Sequence, residues 1–425
     1  MKKVMAIIFA CALCISLISA CAGGESGSSS GGGEITLVNN KVEIHSALEG
    51  FANKYFDSTG VRVHIQSYGG ETPYAPALSA LFAGGQEPEI FVFEGIAGYR
   101  DARGANRVYD LSGQPWVADT DVAYLSPTDG SVVGFPVAIE GWGLGYNVRI
   151  LQEAGVDPKS MTSIDGMRAA FEAIDAQKDA LGLDAVVSMA AGAGMEWVTG
   201  LHGTNAYLSL GLAYDDTSVI DKLNSGTVDT PRLEAFAEYY NLVFQYANQS
   251  TLLTGGYDQQ LADFGLEKTA FIHQGNWVDP TFEELGVSFA MGYVPHAFLG
   301  STTDGIFVGA PSWYLVNARA DEANIQLALD FLNYMASTPE GHSYMVESAG
   351  MVPAFKSVRL SPAGPLSKAV QEWSGAGKIF AWHQNEMPDG FGMGTLGPIY
   401  FSMANGDISP AQFVEMFTAA VAAIG

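Results

Sequence analysis

All three cysteines of this 425-residue chain, Cys11, Cys14 and Cys21, lie at its start. The long remainder must therefore hold together by burial and hydrogen bonding alone. It has no disulfide, no cysteine-bound zinc and no thiol nucleophile to draw on. A body of this length can bury enough side chains to do so, and two domains are the natural expectation.

The start itself reads as a targeting segment. Lys2 and Lys3 precede an apolar run from Val4 to Ile18, near the length of a signal-peptide core and short for a membrane span. Ile18-Ser19-Ala20-Cys21 follows, a hydrophobic residue, two small ones and a cysteine, and it resembles the lipobox at which bacterial lipoproteins are cut. Residues 1–20 are expected to leave as a signal peptide and Cys21 to carry lipid. Residues 21–34 hold a Gly/Ser stretch that cannot bury a core and serves as a flexible tether. The mature protein is thus expected outside the cytoplasm, lipid-anchored to the bacterial cell membrane.

Loss of the leader takes away Lys2 and Lys3 and leaves 18 basic residues against 46 acidic ones. That balance repels nucleic acid and anionic lipid, and no basic cluster offsets it. It keeps the protein soluble and says little about a ligand.

Short apolar runs alternate with amphipathic segments, the signature of an α/β protein. Strands are predicted at Val61–Ile65, Ile90–Phe93, Ile306–Val308 and Trp313–Val316. One helix face collects Leu48, Phe51, Ala52, Tyr55 and Phe56. A second collects Leu233, Phe236, Ala237, Tyr240 and Phe244, and a third Ile325, Ala328, Leu329, Leu332 and Met335. Ser409-Pro410-Ala411-Gln412 reads as a capping box with proline in the first turn, and Ser337-Thr338-Pro339-Glu340 opens a helix in the same way.

Five segments, in order, resemble the family 1 extracellular solute-binding proteins of ABC importers, the maltose-binding-protein-like carbohydrate-binding lipoproteins. Pro88–Glu94 is similar to the family's strand leading to its first binding loop. Gly134–Asn147 is similar to the first crossover between lobes, with a Gly-x-Pro strand, Glu140 and a Tyr-Asn pair. Lys268–Trp277 ends in a tryptophan at the ligand-stacking position. Phe307–Pro311 begins the return, and Ala328–Met335, Pro339–Gly341 and Val352–Ala354 run on to the last crossover. Two departures from the maltose-binding pattern mean that maltose is not implied, nor any particular sugar: the loop Glu94–Tyr99 lacks that pattern's Trp and acid, and Tyr400 stands where it has a stacking Trp.

The resemblance implies a two-lobed periplasmic-binding-protein fold, type II-like. Each lobe is a mixed sheet flanked by helices, and the ligand cleft lies between them. It places residues 35–139 and 305–351 in the N-terminal lobe, and residues 140–301 and 353–425 in the C-terminal lobe. Open α/β sheets bind ligands beyond the carboxyl ends of their strands.

A sugar ring needs fixed donors and acceptors for its hydroxyls and a flat ring for its apolar face. Acid or amide beside aromatic recurs along this chain: Glu140 with Trp142, Glu196 with Trp197, Gln274 and Asn276 with Trp277, and Asp389 with Phe391. Tyr400, Glu94 and Tyr68 complete the candidate ligand contacts. Trp116, Trp313 and Trp373 read as packing residues. The expected function is capture of a carbohydrate, an oligosaccharide, and its delivery to ABC permease transmembrane subunits by a monomer.

No cofactor is implied. The seven histidines never fall at metal-ligand spacing, and Asp119-Thr120-Asp121 lacks the further oxygens of a calcium loop. Two other readings use the same residues. The fold could take a polyamine or other small solute in an acidic, aromatic cleft. Glu140 and Glu196 could instead serve a surface glycosidase as paired carboxylates, although nothing fixes their separation.

Overall fold

The structure is a computed structural model that describes residues 32–69, 72–300 and 304–424. The expected signal peptide, Cys21 and the tether up to residue 31 lie outside the described residues, as does Gly70 beside Tyr68.

Among the described residues, twelve strands form two sheets. They are β1 (Glu34–Asn39), β2 (Arg62–Ser67), β3 (Ile90–Phe93), β4 (Tyr124–Leu125), β5 (Val132–Pro136) and β6 (Glu140–Asn147). Then come β7 (Val187–Ser188), β8 (Phe271–Gly275), β9 (Met291–Val294), β10 (Ile306–Gly309), β11 (Trp313–Val316) and β12 (Ile379–Phe380). The first sheet has the order β2-β1-β3-β11-β5-β4; the second runs β12-β10-β6-β8-β7, with β9 also paired to β6. In the first sheet β11 runs against β3 and β5, and β4 runs against β5, so β1, β2, β3 and β5 end on one side. In the second, β6 runs against β8 and β10, which brings its first residue, Glu140, to the end where those strands finish.

One expectation needs correction. Ile306–Gly309, assigned above to the N-terminal lobe, is a strand of the second sheet, with Gly309 opposite Glu140 and Phe307 opposite Trp142. Sequence order suggested the chain had already returned, but burial decides: Phe307 is enclosed against Trp142, ring centroids 4.4 Å apart. The return comes at Ala310–Ser312. There the crossovers lie side by side: Val137 N–H donates to the Ser312 carbonyl, and Ile139 N–H donates to that of Val352.

The predicted helix faces are the faces that pack. His45–Thr59 buries Leu48, Phe51, Ala52 and Tyr55 on the first sheet and ends at Gly60, whose left-handed φ of 76° suits a residue without Cβ. Phe51 and Tyr55 meet Phe331 of the helix Glu322–Ser337 at 5.3 and 5.1 Å. Over the second sheet, Thr230–Gln245 packs Phe236 and Tyr240 against Tyr400 and Phe413. Each such side chain removed from water contributes about 1.5–3 kcal/mol. The capping box closes as predicted: Gln412 N–H donates to Ser409 Oγ at 3.3 Å, and Ser409 N–H returns to Gln412 Oε1 at 2.9 Å. Thr338 Oγ1 likewise caps Pro339–Ser343.

β6 alternates glycine with larger residues, and its glycines are there for close approach. A Cβ on Gly141 would come within 2.6 Å of Val370, and one on Gly143 within 3.1 Å of Ile306. The helix Pro365–Gly375 can therefore lie directly on the sheet, while Glu140, Trp142, Leu144 and Tyr146 share the opposite face.

Candidate functional site

The strand ends converge on a cleft between the two sheets. From the first sheet come Asn40, Lys41 and Glu43 after β1, and Glu94 after β3. From the second come Glu140 at the start of β6, and Asn276 and Trp277 after β8.

Lys41 and Glu140 form a buried ion pair, and Glu43 lies 3.6 Å from the same ammonium. Burial alone would lower the Lys41 pKa, but the carboxylates of Glu140 and Glu43 outweigh it and hold the ammonium above its ordinary value. The acids outnumber the base. Burial raises the Glu43 carboxyl despite Lys41, and does the same to Glu94, which also feels Glu140. Glu94 reaches solvent yet stands within the cleft, accepting a 2.6 Å bond from Asn40 Nδ2. The space enclosed beside Glu140 is small, about 10 Å³, room for one water.

The amides are fixed. Asn276 Oδ1 accepts from Gly141 N–H at 2.8 Å, and its Nδ2 donates to Ser367 Oγ at 3.1 Å. Gln274 donates to Gln260 Oε1 at 3.0 Å and accepts from Trp277 Nε1 at 2.9 Å. Gln274 is buried, so it orients Trp277 from behind. Trp277 remains half-buried. Its ring lies 6.4 Å from Trp197, 6.3 Å from Trp382 and 5.1 Å from His202. Tyr257 lies 5.9 Å from Trp197, and its pKa is raised well above the ordinary value by burial and by Glu43 and Glu140.

Next to this aromatic group opens a larger cavity of about 790 Å³, a volume suited to a small-molecule ligand. Its walls include Tyr124 and Trp313 from the first sheet, and Trp382, His383, Asn385 and Glu386 from the segment after β12. Two nine-tenths-buried rings on this wall, Trp382 and His383, each keep one nitrogen without a hydrogen-bond partner among the described residues, Nε1 and Nε2. Glu386 accepts or shares the His383 Nδ1 proton at 2.8 Å.

Of the predicted contacts, Glu140, Asn276 and Trp277 meet in one place, with Gln274 directly behind them. Trp197 is half-buried with its ring 6.4 Å from Trp277, Glu196 just before it is half-buried, and Glu94 is close enough to Glu140 to feel its charge. Others are elsewhere. Trp142 is 0% exposed, closed in by Phe307, His202, His273 and His296. Tyr400 is also fully buried and spends its hydroxyl on Thr204 at 3.0 Å. Phe391 belongs to the same core, Asp389 is exposed with no side-chain partner among the described residues, and the Tyr68 hydroxyl donates to Gln66 Oε1 at 3.0 Å. Trp142 and Tyr400 are therefore core residues: one has entered the sheet, the other the helix packing.

Sequence reasoning missed Lys41, Tyr257, Trp382 and Tyr124; Trp313, read as a packing residue, does pack on Phe93 and Tyr124 and also lines the larger cavity. Trp382 directly follows the short apolar run Ile379-Phe380-Ala381, a strand-end position that could have marked it.

The sequence profile described as bacterial extracellular solute-binding protein matches residues 50–376. An uncharacterized ABC transporter extracellular-binding protein of Pyrococcus horikoshii is 22% identical over 394 residues, covering 87% of this chain and 84% of that protein. Among solved structures, a chitin oligosaccharide binding protein superposes with a TM-score of 0.74 at 20% identity, over 91% of this chain and 98% of its own. The solute-binding protein RafE in complex with raffinose gives 0.75 at 15% identity, over 92% and 99%. A sugar transporter from Bacillus licheniformis in complex with stachyose gives 0.70 at 18%, over 92% and 100%. At these identities the structural likeness establishes the two-lobed fold.

Proposed function

Because the chain belongs to the bacterial extracellular solute-binding protein family, we propose that it captures a carbohydrate, an oligosaccharide, in its cleft and delivers it to an ABC permease. The observation that carries this reading is the group Trp197, Trp277 and Trp382, the last two just after strands β8 and β12, beside fixed amides and an ion pair and next to a cavity of about 790 Å³. Flat rings suit the apolar face of a sugar, and oriented polar groups suit its rim. The sugars named with the similar structures support the same class.

On this reading residues 35–139 with 311–351 move as one lobe, and residues 140–309 with 353–425 as the other. Binding energy drawn from both lobes favours the closed state, which the permease distinguishes from the open one. Cys21 carries the lipid that holds the mature monomer at the membrane. Cys21→Ala is expected to release the protein from the detergent phase in a Triton X-114 partition. No cleavage of the sugar is proposed, since Glu140 spends its carboxylate on Lys41.

One observation favours a second reading: Glu43, Glu94 and Glu140 outnumber Lys41 at the closed end, which would suit a cationic solute such as a polyamine. Isothermal calorimetry decides between them. Raffinose, stachyose and chitin oligosaccharides are titrated into purified protein, with spermidine in parallel. Binding of a panel sugar and none of spermidine is expected; salt-sensitive spermidine binding without any sugar would overturn the carbohydrate reading.

A further inference from the structure

His202 lies in the wide helical turn Trp197–Gly203, a segment the candidate contacts reach only through Trp197. Four tryptophans surround its ring. Trp142 of β6 is stacked on it at 5.2 Å and 23°, and Trp197 meets it edge-on at 5.3 Å. Trp277, after β8, lies at 5.1 Å, and Trp382, after β12, at 5.7 Å. Three of these four are the rings that form the aromatic wall of the cleft. The imidazole is thus held in one orientation by rings from four separate segments.

Its polar atoms are unspent. Among the described residues the His202 ring makes no hydrogen bond, whereas the His273 ring bonds Tyr240 at 3.0 Å and that of His383 bonds Glu386 at 2.8 Å. His202 also differs from the fully enclosed His296: it keeps 7% exposure, where His296 has 0%. Burial, with His273 and Lys41 nearby, pushes its pKa well below the ordinary value. The ring is therefore neutral, with one nitrogen that donates and one that accepts. A sugar hydroxyl, itself donor and acceptor, is the complementary group.

We propose that His202 is a specificity-determining ligand contact: from the floor of the tryptophan box it offers a fixed ring nitrogen to one hydroxyl of the bound sugar. This rests on the carbohydrate reading above. A site that fixes a buried polar group for a hydroxyl rejects a sugar lacking that hydroxyl, because the imidazole is then left unpaired in a closed cleft.

Two substitutions separate bonding from packing. His202→Phe keeps a flat ring and removes both nitrogens; His202→Gln keeps a donor and an acceptor. Calorimetry with the raffinose, stachyose and chitin-oligosaccharide panel should show about a tenfold loss of affinity for His202→Phe, the worth of one such bond. His202→Gln should recover most of it. In wild-type protein, the His202 imidazole resonance should shift on addition of the panel sugar that binds, while that of His296 stays in place. Equal affinity of His202→Phe and wild type, or an unmoved His202 resonance, would overturn this contact and leave the carbohydrate reading intact. Failure of wild-type protein to bind any panel sugar would overturn both.

Discussion

Lys41 and Glu140, 99 residues apart in sequence, close a buried ion pair that joins the loop after β1 to the first residue of β6. The two partners are not equivalent. Lys41 has Glu43 as a second acid at 3.6 Å, whereas Glu140 has Lys41 alone among the described basic side chains. Lys41→Met leaves a buried carboxylate uncompensated and is expected to cost about 3–5 kcal/mol. Glu140→Gln should cost clearly less, and adding it to Lys41→Met should restore part of the loss. Urea unfolding midpoints of the three variants check the order.

Trp277 sits half-buried at the edge of the core with its Nε1 on Gln274, so its removal should cost the fold less than removal of an enclosed ring. Trp277→Ala is expected to weaken binding of a panel sugar about ten- to hundredfold, the equivalent of losing one large apolar contact. Calorimetry gives the loss, and an unfolding midpoint near that of wild type shows that it belongs to the cleft.

Three imidazoles, His202, His273 and His296, crowd Trp142 at 5.0–5.3 Å. The neighbours Tyr239, Tyr240 and Phe307 carry no charge that could stabilise an added proton, and Lys41 opposes one on His202. Burial lowers all three pKa values, that of His273 to about 4. An unfolded histidine takes its proton below about pH 6.5. Between that value and pH 4 the unfolded chain therefore binds more protons, and stability falls as the pH drops. His273 alone accounts for about 3 kcal/mol across the window. Thermal melts at pH 7.5, 6, 5 and 4 should show the decline, and His273→Gln should flatten it.

Tyr400 is a core residue whose hydroxyl serves Thr204. Tyr400→Phe is expected to cost about 1 kcal/mol in urea unfolding and to leave sugar affinity unchanged. A loss of affinity with an unaltered midpoint would return it to the cleft.

Local pattern made much of the fold legible. Ser409 and Gln412 form their box because the motif is complete within four residues, and the helix His45–Thr59 buries the stripe its spacing predicts. β3 was legible because Ile90–Phe93 is buried on both faces and so reads as an unbroken apolar run. The site was legible where a strand visibly ends, as at Gly275 before Asn276 and Trp277. It was not legible where depth along a strand decides. Glu140 and Trp142 point the same way from β6, yet two residues carry the chain from the cleft edge to full enclosure beneath Phe307. Tyr400 shows the same limit in a helix: nothing within its own turn tells it that Phe236 and Phe413 will close over it. Lys41 was missed because its meaning lies in a partner 99 residues away.

The placement of β11 between β3 and β5 sets a schedule for assembly. A growing chain that has not yet reached Ile306 holds two parallel strands with a gap where their shared neighbour β11 belongs, and it holds β6 without β10 along one edge. Neither layer can be completed until most of the polypeptide has been made, so such a protein is expected to fold late and slowly for its size.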